Sequence, residues 1–203
     1  MDFEQLIRSW HAQAGSEDYF SKYVFEYLAF IAYLKRIKFT NRVTDSSAIR
    51  ALKYDAEVRN MYLDLVARDN HLQQSWQSIK NELDERPLGE LDKNTDDVHA
   101  IWYWDCDCQN VQDQESHFCD QQGRIRNLED WRNMIEFWHS IRNNLFHGGK
   151  NPDDERDQLL IKAGFETLRS LMEEWKHFSD SFRLSIFNTF LPNLKVGESQ
   201  PLT

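Results

Sequence analysis

Two residues of this chain stand out for chemistry, Arg142 and His147. They lie in the stretch Ile141-Arg142-Asn143-Asn144-Leu145-Phe146-His147-Gly148-Gly149-Lys150. A guanidinium is always charged and forked, which suits a phosphate. An imidazole titrates near neutrality, which suits proton transfer. Together such a pair can hold an anionic group and move a proton beside it. Spacing restricts how the two can meet. On a helix, residues five apart point about 140° away from each other. One chain's pair converges only if His147 sits at a frayed helix end. Otherwise a second copy must supply its own Arg142 and His147 across a two-fold axis.

The elements that must position this stretch are helical. The helix carrying it is expected to start at about Asn127, with Trp131, Met134, Ile135, Trp138, Ile141 and Leu145 on one stripe. Measured from Trp138, Arg142 lies about 40° away at the stripe's edge and His147 lies nearly opposite. Gly148-Gly149 ends the helix. An Arg on the flank of an apolar stripe is costly to bury alone and needs a carboxylate, a phosphate or an interface. Glu26, the lone charge in an otherwise apolar run, is a candidate intrachain partner.

Upstream, Asp2 caps a first helix over residues 3–13, and Ser16 caps a second that runs to about Phe39. Tyr19 to Leu34 is apolar almost all round, as in a central core helix or one buried between subunits. It is too short and aromatic to span a membrane. The helix ends in Lys35-Arg36-Ile37-Lys38, followed by Arg42. That basic cluster is either ordinary helix-end chemistry or a phosphate contact. A third helix starts at Asp45 or Ser46, continues through Val66 and breaks near Asp69-Asn70. A fourth covers His71 to Leu83. Residues 86–123 form a long irregular insertion rich in Asp, Asn and Gln. Beyond the glycines, Asn151 caps a long helix, with Pro152 at its first position, to about Phe178. A short helix with Phe182, Ile186, Phe187 and Phe190 then ends at Pro192. The expected fold is one all-α bundle of about five to seven helices over residues 1–192, with a loose tail at 193–203.

Composition sets limits. The 203 residues suffice for one domain with a sizeable core. Net charge is −10, so the chain is no general nucleic-acid coat, and any RNA contact needs a local basic patch. The candidates are Lys35, Arg36, Lys38 and Lys150. Seven Trp, seven Tyr and 13 Phe exclude wholesale disorder, and seven Gly with four Pro argue against an all-β fold. The opening Met1-Asp2-Phe3-Glu4 carries no basic region of a secretory signal. Three Cys suit a reducing cytoplasm. No P-loop, G-x-G-x-x-G or H-E-x-x-H motif occurs. Cys106, Cys108, His117 and Cys119 read either as free thiols in a loop or as a Cys3His zinc set with unusually tight spacing.

Arg142, Asn143 and His147, inside R-N-N-L-F-H-G at a helix end of an all-helical chain, resemble the signature of the HEPN superfamily (higher eukaryotes and prokaryotes nucleotide-binding). The resemblance covers only this motif and its helical setting. It implies a dimeric helical bundle and, in many members, metal-independent endoribonuclease activity on single-stranded or looped RNA, with no cofactor. It implies that His147 is the general acid or base, that Arg142 stabilises charge, and that Asn143 orients the His or the phosphate. The implied products are a 2′,3′-cyclic phosphate and a 5′-hydroxyl. By analogy such proteins act as toxins or antiphage effectors, held by an antitoxin or regulatory protein. The alternative is a non-catalytic HEPN-like module that binds a nucleotide or a partner protein.

Overall fold

The computed structural model describes residues 3–15, 18–41, 44–91, 98–100, 104–105, 123–146 and 153–190. Among them the chain is all-helical apart from one short ribbon. The elements are α1 (Phe3–Gln13), α2 (Tyr19–Tyr33), α3 (Asp45–Lys53), α4 (Ala56–Arg68), α5 (Asn70–Glu85), β1 (Gly89–Leu91), β2 (Val98–Ala100), α6 (Trp131–Phe146) and α7 (Glu155–Phe190).

Side-chain caps explain most boundaries. Asp18, rather than the expected Ser16, opens α2 by accepting from the backbone N–H groups of Phe20 and Ser21 at 2.9 and 3.2 Å. Helix α2 stops at Tyr33 and widens into a π-helical turn, Leu34–Lys38, in which the Phe39 N–H donates to the Leu34 carbonyl at 2.7 Å. The single helix expected from Asp45 through Val66 is two, because Asp55 accepts from the Val58 N–H at 2.9 Å and opens α4. The expected break at Asp69-Asn70 is present, with Asp69 capping α5. Helix α6 starts at Trp131, later than Asn127, because residues 127–130 form a turn closed by the Asn127 side chain on the Glu129 N–H at 2.8 Å. Asn151 and Pro152, the expected opening of the last long helix, lie outside the described residues. Asp154 accepts from the Asp157 N–H there at 2.9 Å. The break expected after Phe178 is absent from the backbone of α7, where Gly164 is the last glycine and no proline comes before Pro192.

Helices α2 and α5 pack along α7, α1 covers α2, and α6 is held between α3 and α7. The apolar helix α2 is therefore covered within its own chain. Tyr23, Tyr27, Ala29, Phe30 and Ile31 are buried, and Trp10 stacks on Phe25 at 5.6 Å. Trp76, Trp131, Trp138 and Tyr62 meet at the centre with ring centroids 5.6 to 6.2 Å apart. Their polar atoms are satisfied there. Trp76 Nε1 donates to Tyr62 Oη at 2.9 Å, Tyr62 donates to the Thr167 carbonyl at 2.9 Å, and Trp138 Nε1 donates to Thr167 Oγ1 at 3.0 Å.

The irregular insertion begins and ends at one neck. The Leu88 N–H donates to the Gly123 carbonyl at 2.9 Å. Gly123 has φ 73°, and a Cβ there would lie 2.2 Å from the Leu88 carbonyl oxygen, so glycine is required. Beyond the neck, β1 and β2 pair antiparallel with Gly89 opposite Ala100, a ribbon that the irregular reading of 86–123 lacks. Asn144 Nδ2 donates to the Gly89 carbonyl at 2.9 Å, so the neck rests on the last turns of α6.

Candidate functional site

The expected stripe of α6 faces the core. Trp131, Met134, Ile135, Trp138 and Ile141 are buried and Leu145 is partly so. A second, polar stripe is buried as well: Asn133, Glu136, Ser140 and Asn144. Asn133 bonds to Asp105 and Asp130, Glu136 to Lys53 at 2.5 Å, and Asn144 to Gly89. Between these stripes, on the side facing α2, lie His139 and Arg142, both half-buried.

Arg142 is held by neutral groups. Its Nη1 donates to Asn143 Oδ1 at 3.0 Å. Its guanidinium carbon lies 4.7 Å from the centroid of the Phe146 ring and 5.9 Å from that of Tyr27. The cation therefore sits between a buried ring and a ring that is 55% exposed. No carboxylate pairs with Arg142 among the described residues. Glu26, the expected partner, is instead taken by His11, whose Nδ1 lies 2.7 and 3.0 Å from its two carboxylate oxygens. Helix α1, packed along α2, brings His11 to that buried carboxylate.

His139 and Tyr27 form the other part of the site, with Tyr27 Oη 2.8 Å from His139 Nδ1. Burial, and then the charge of Arg142, push the His139 imidazole down to about 4, so it is neutral near pH 7. Burial also raises the Tyr27 phenol well above its ordinary value, against the pull of Arg142. Both neighbours of the guanidinium are thus uncharged. Sequence reasoning missed this pair. The legible signal was the spacing of His139 and Arg142, three residues apart on one helix face.

The expected basic cluster does not gather. Lys35 pairs with Asp45 of α3 at 2.9 Å. Lys38 pairs with Asp55 at 3.3 Å and with Glu57 of α4 at 3.1 Å. Arg36 covers the Phe3 ring of α1 at 4.6 Å. The three side chains go to three different elements. Of their partners, Asp45 is close enough for its charge to act on both Tyr27 and His139.

His147, Gly148, Gly149 and Lys150 lie outside the described residues, as do Arg42 and the set Cys106, Cys108, His117 and Cys119. Among the described residues no group of His, Cys, Asp or Glu is placed to hold a metal ion. Among them, too, no helix is long and apolar enough to cross a membrane. No family model, curated protein or solved structure matches the chain.

Proposed function

We propose that this chain is a metal-independent endoribonuclease of the HEPN type, acting on single-stranded or looped RNA. One observation carries the reading. Arg142, the first residue of the R-N-N-L-F-H motif, is a half-buried guanidinium held by two aromatic rings and an amide and given no carboxylate among the described residues. A half-buried cation without a counter-charge is a site for an anion, and a forked one fits two phosphate oxygens. In the reaction the ribose 2′-oxygen forms a bond to phosphorus and the P–O5′ bond breaks. Arg142 stabilises the charge on the non-bridging oxygens. His147 moves the proton, which leaves the 2′-hydroxyl or arrives on the departing 5′-oxygen. The products are a 2′,3′-cyclic phosphate and a 5′-hydroxyl. Asn143 holds the guanidinium in position through its 3.0 Å bond. The angular separation of Arg142 and His147 calls for two copies of the chain around one site. An effector of this kind, a toxin or an antiphage nuclease, needs an inhibitory or regulatory partner.

A second reading is a non-catalytic module of the same fold that binds a nucleotide or a protein. Two observations favour it: the net charge of −10, and the internal pairing of Lys35 and Lys38. Incubating the purified protein with mixed RNA in EDTA, beside Arg142→Ala and His147→Ala, decides between them. The nuclease reading expects cleavage in EDTA by the wild type and by neither variant. Loss of cleavage on adding EDTA, or full cleavage by both variants, overturns it. Light scattering tests the assembly, since a fully active monomer at micromolar concentration is incompatible with a shared site.

A further inference from the structure

Away from Arg142, a set of cations gathers where the start of α2 meets α7. Lys22 Nζ lies 4.8 Å from the Tyr19 ring centroid and 5.9 Å from that of Phe165. Lys162 Nζ lies 5.5 Å from the Tyr19 ring, and the Arg169 guanidinium lies 5.7 Å from Phe165. The two rings meet edge to face at 6.1 Å. Arg169 is committed to Glu173 at 2.8 Å. Lys22 and Lys162 have no carboxylate partner among the described residues. Tyr19 is 38% exposed, while Phe165 beneath it is buried. Among the described residues, two ammonium groups with no carboxylate partner thus stand around an accessible aromatic ring.

Cations beside an exposed ring match the chemistry of a single-stranded nucleotide, with phosphate on the ammonium groups and a base on the ring. Tyr23 and Tyr27, one and two turns further along the same face of α2, are buried, so the accessible ring of this face is at the start of the helix.

We propose that Tyr19, Lys22 and Lys162 form a subsite for a nucleotide of single-stranded RNA at the exposed start of α2. The inference rests on the nuclease reading above for its ligand, but it has its own readout. A protein partner with an acidic segment would use the same ammonium groups without needing the ring. The ring therefore separates the two.

The test measures binding of a short single-stranded RNA, made uncleavable by 2′-O-methylation, by fluorescence anisotropy over a range of salt. Lys22→Ala with Lys162→Ala should weaken binding about tenfold and reduce the salt slope by about 1.4, at about 0.7 for each phosphate contact. Tyr19→Ala should also weaken binding about tenfold while leaving the slope intact, and Tyr19→Phe should restore it. Lys162→Glu, at an exposed position, repeats the charge test without risk to the core. Unchanged affinity and slope in the lysine variants, with cleavage by the wild type intact, overturn the subsite and leave the nuclease standing. So does an unchanged affinity in Tyr19→Ala, which assigns the lysines to a partner of another kind. Binding with the expected dependences but no cleavage of ordinary RNA keeps the subsite and sinks the catalytic reading. A wild type with no affinity for RNA sinks both.

Discussion

At the N-terminal end of α6, Arg132 stands over the Tyr54 ring at 4.6 Å, and near its C-terminal end Arg142 stands over the Phe146 ring at 4.7 Å. Both rings are exposed, Tyr54 at 65% and Phe146 at 55%. The surroundings differ. Arg132 is closed off by Asp105 at 3.0 Å. Asp105 is in turn clamped by Asn133, and Asp130 takes both Nε and Nη2 of Arg126, at 2.8 and 2.7 Å. Among the described residues Arg142 meets rings, an amide, and an imidazole kept neutral beside it. Every charge named at the first end has a partner of opposite sign, so that end works as a clasp. At the other end a cation is held in place with no carboxylate partner among the described residues. The contrast teaches that an arginine on an aromatic ring is not in itself a site. Its counter-charge decides.

The sharpest way to break the comparison is to remove each arginine in turn. Arg142→Ala should lower single-turnover RNA cleavage by about a hundred- to a thousandfold, the usual cost of losing one transition-state charge stabiliser. Arg142→Lys should recover little, because an ammonium lacks the planar fork. Arg132→Ala should leave cleavage within about twofold and lower stability by no more than about 1 kcal/mol, the value of an exposed pair. Equal losses of cleavage in the two alanine variants, after correction for folded fraction, would erase the distinction.

A second contrast lies in stability. Between the two ends, Lys53 and Glu136 form a pair whose side chains are 9% and 4% exposed. Removing one partner of a buried pair leaves the other charge stranded. Glu136→Ala should therefore cost about 3 to 5 kcal/mol in urea unfolding, with little change in cleavage per folded molecule. A loss below about 1 kcal/mol would show that water reaches the pair and that this middle section is not a dry clasp.

Much of this was legible in the sequence, and what was not has common causes. The apolar stripe of α6 was readable because burial of Trp131, Trp138 and Ile141 needs only helical periodicity. The break at Asp69 was readable because a capping side chain acts on residues next to it. The break at Asp55 uses the same chemistry, but an apolar run continues across it. The polar stripe Asn133, Glu136, Asn144 was illegible because its partners, Asp105, Lys53 and Gly89, are far away in the chain and only packing brings them near. The same holds for Glu26, which accepts from His11 across a helix pair. Arg142 was visible as a costly residue at a stripe's edge. That its surroundings are Tyr27 and a neutral His139 needed the fold.

Acid should act through this neutral surrounding. The His139 pKa falls from 6.5 in the unfolded chain to about 4 in the folded one. Between these values the unfolded chain binds more protons. Stability is therefore full above about pH 6.5 and is lost as pH falls towards 4, by up to about 3 kcal/mol. Urea titrations across this window should show the loss in the wild type, and His139→Gln should flatten it. An equal pH slope in both proteins would put the acid sensitivity elsewhere.

The smallest effect is expected from Lys35 and Lys38, although they belong to the densest run of basic residues at a helix end. Sequence alone reads them either as ordinary helix-end charges or as RNA contacts. In the fold Lys35 already has Asp45 at 2.9 Å, and Lys38 has Glu57 at 3.1 Å. A cation that is already paired must break that pair to take up a phosphate, so it releases few counterions on binding. Lys35→Ala with Lys38→Ala should then shift the salt slope of RNA binding by less than about 0.7, the contribution of one contact to a single strand. Stability should fall by no more than about 1 kcal/mol, since both groups are partly solvated. Lys22→Ala with Lys162→Ala removes the same formal charge from a place where neither lysine has a carboxylate among the described residues. If the two double variants lose the same slope, the count of positive charges governs RNA binding and their pairing does not. If only the Lys22 and Lys162 variant loses it, the rule drawn from the two ends of α6 extends to the rest of the surface.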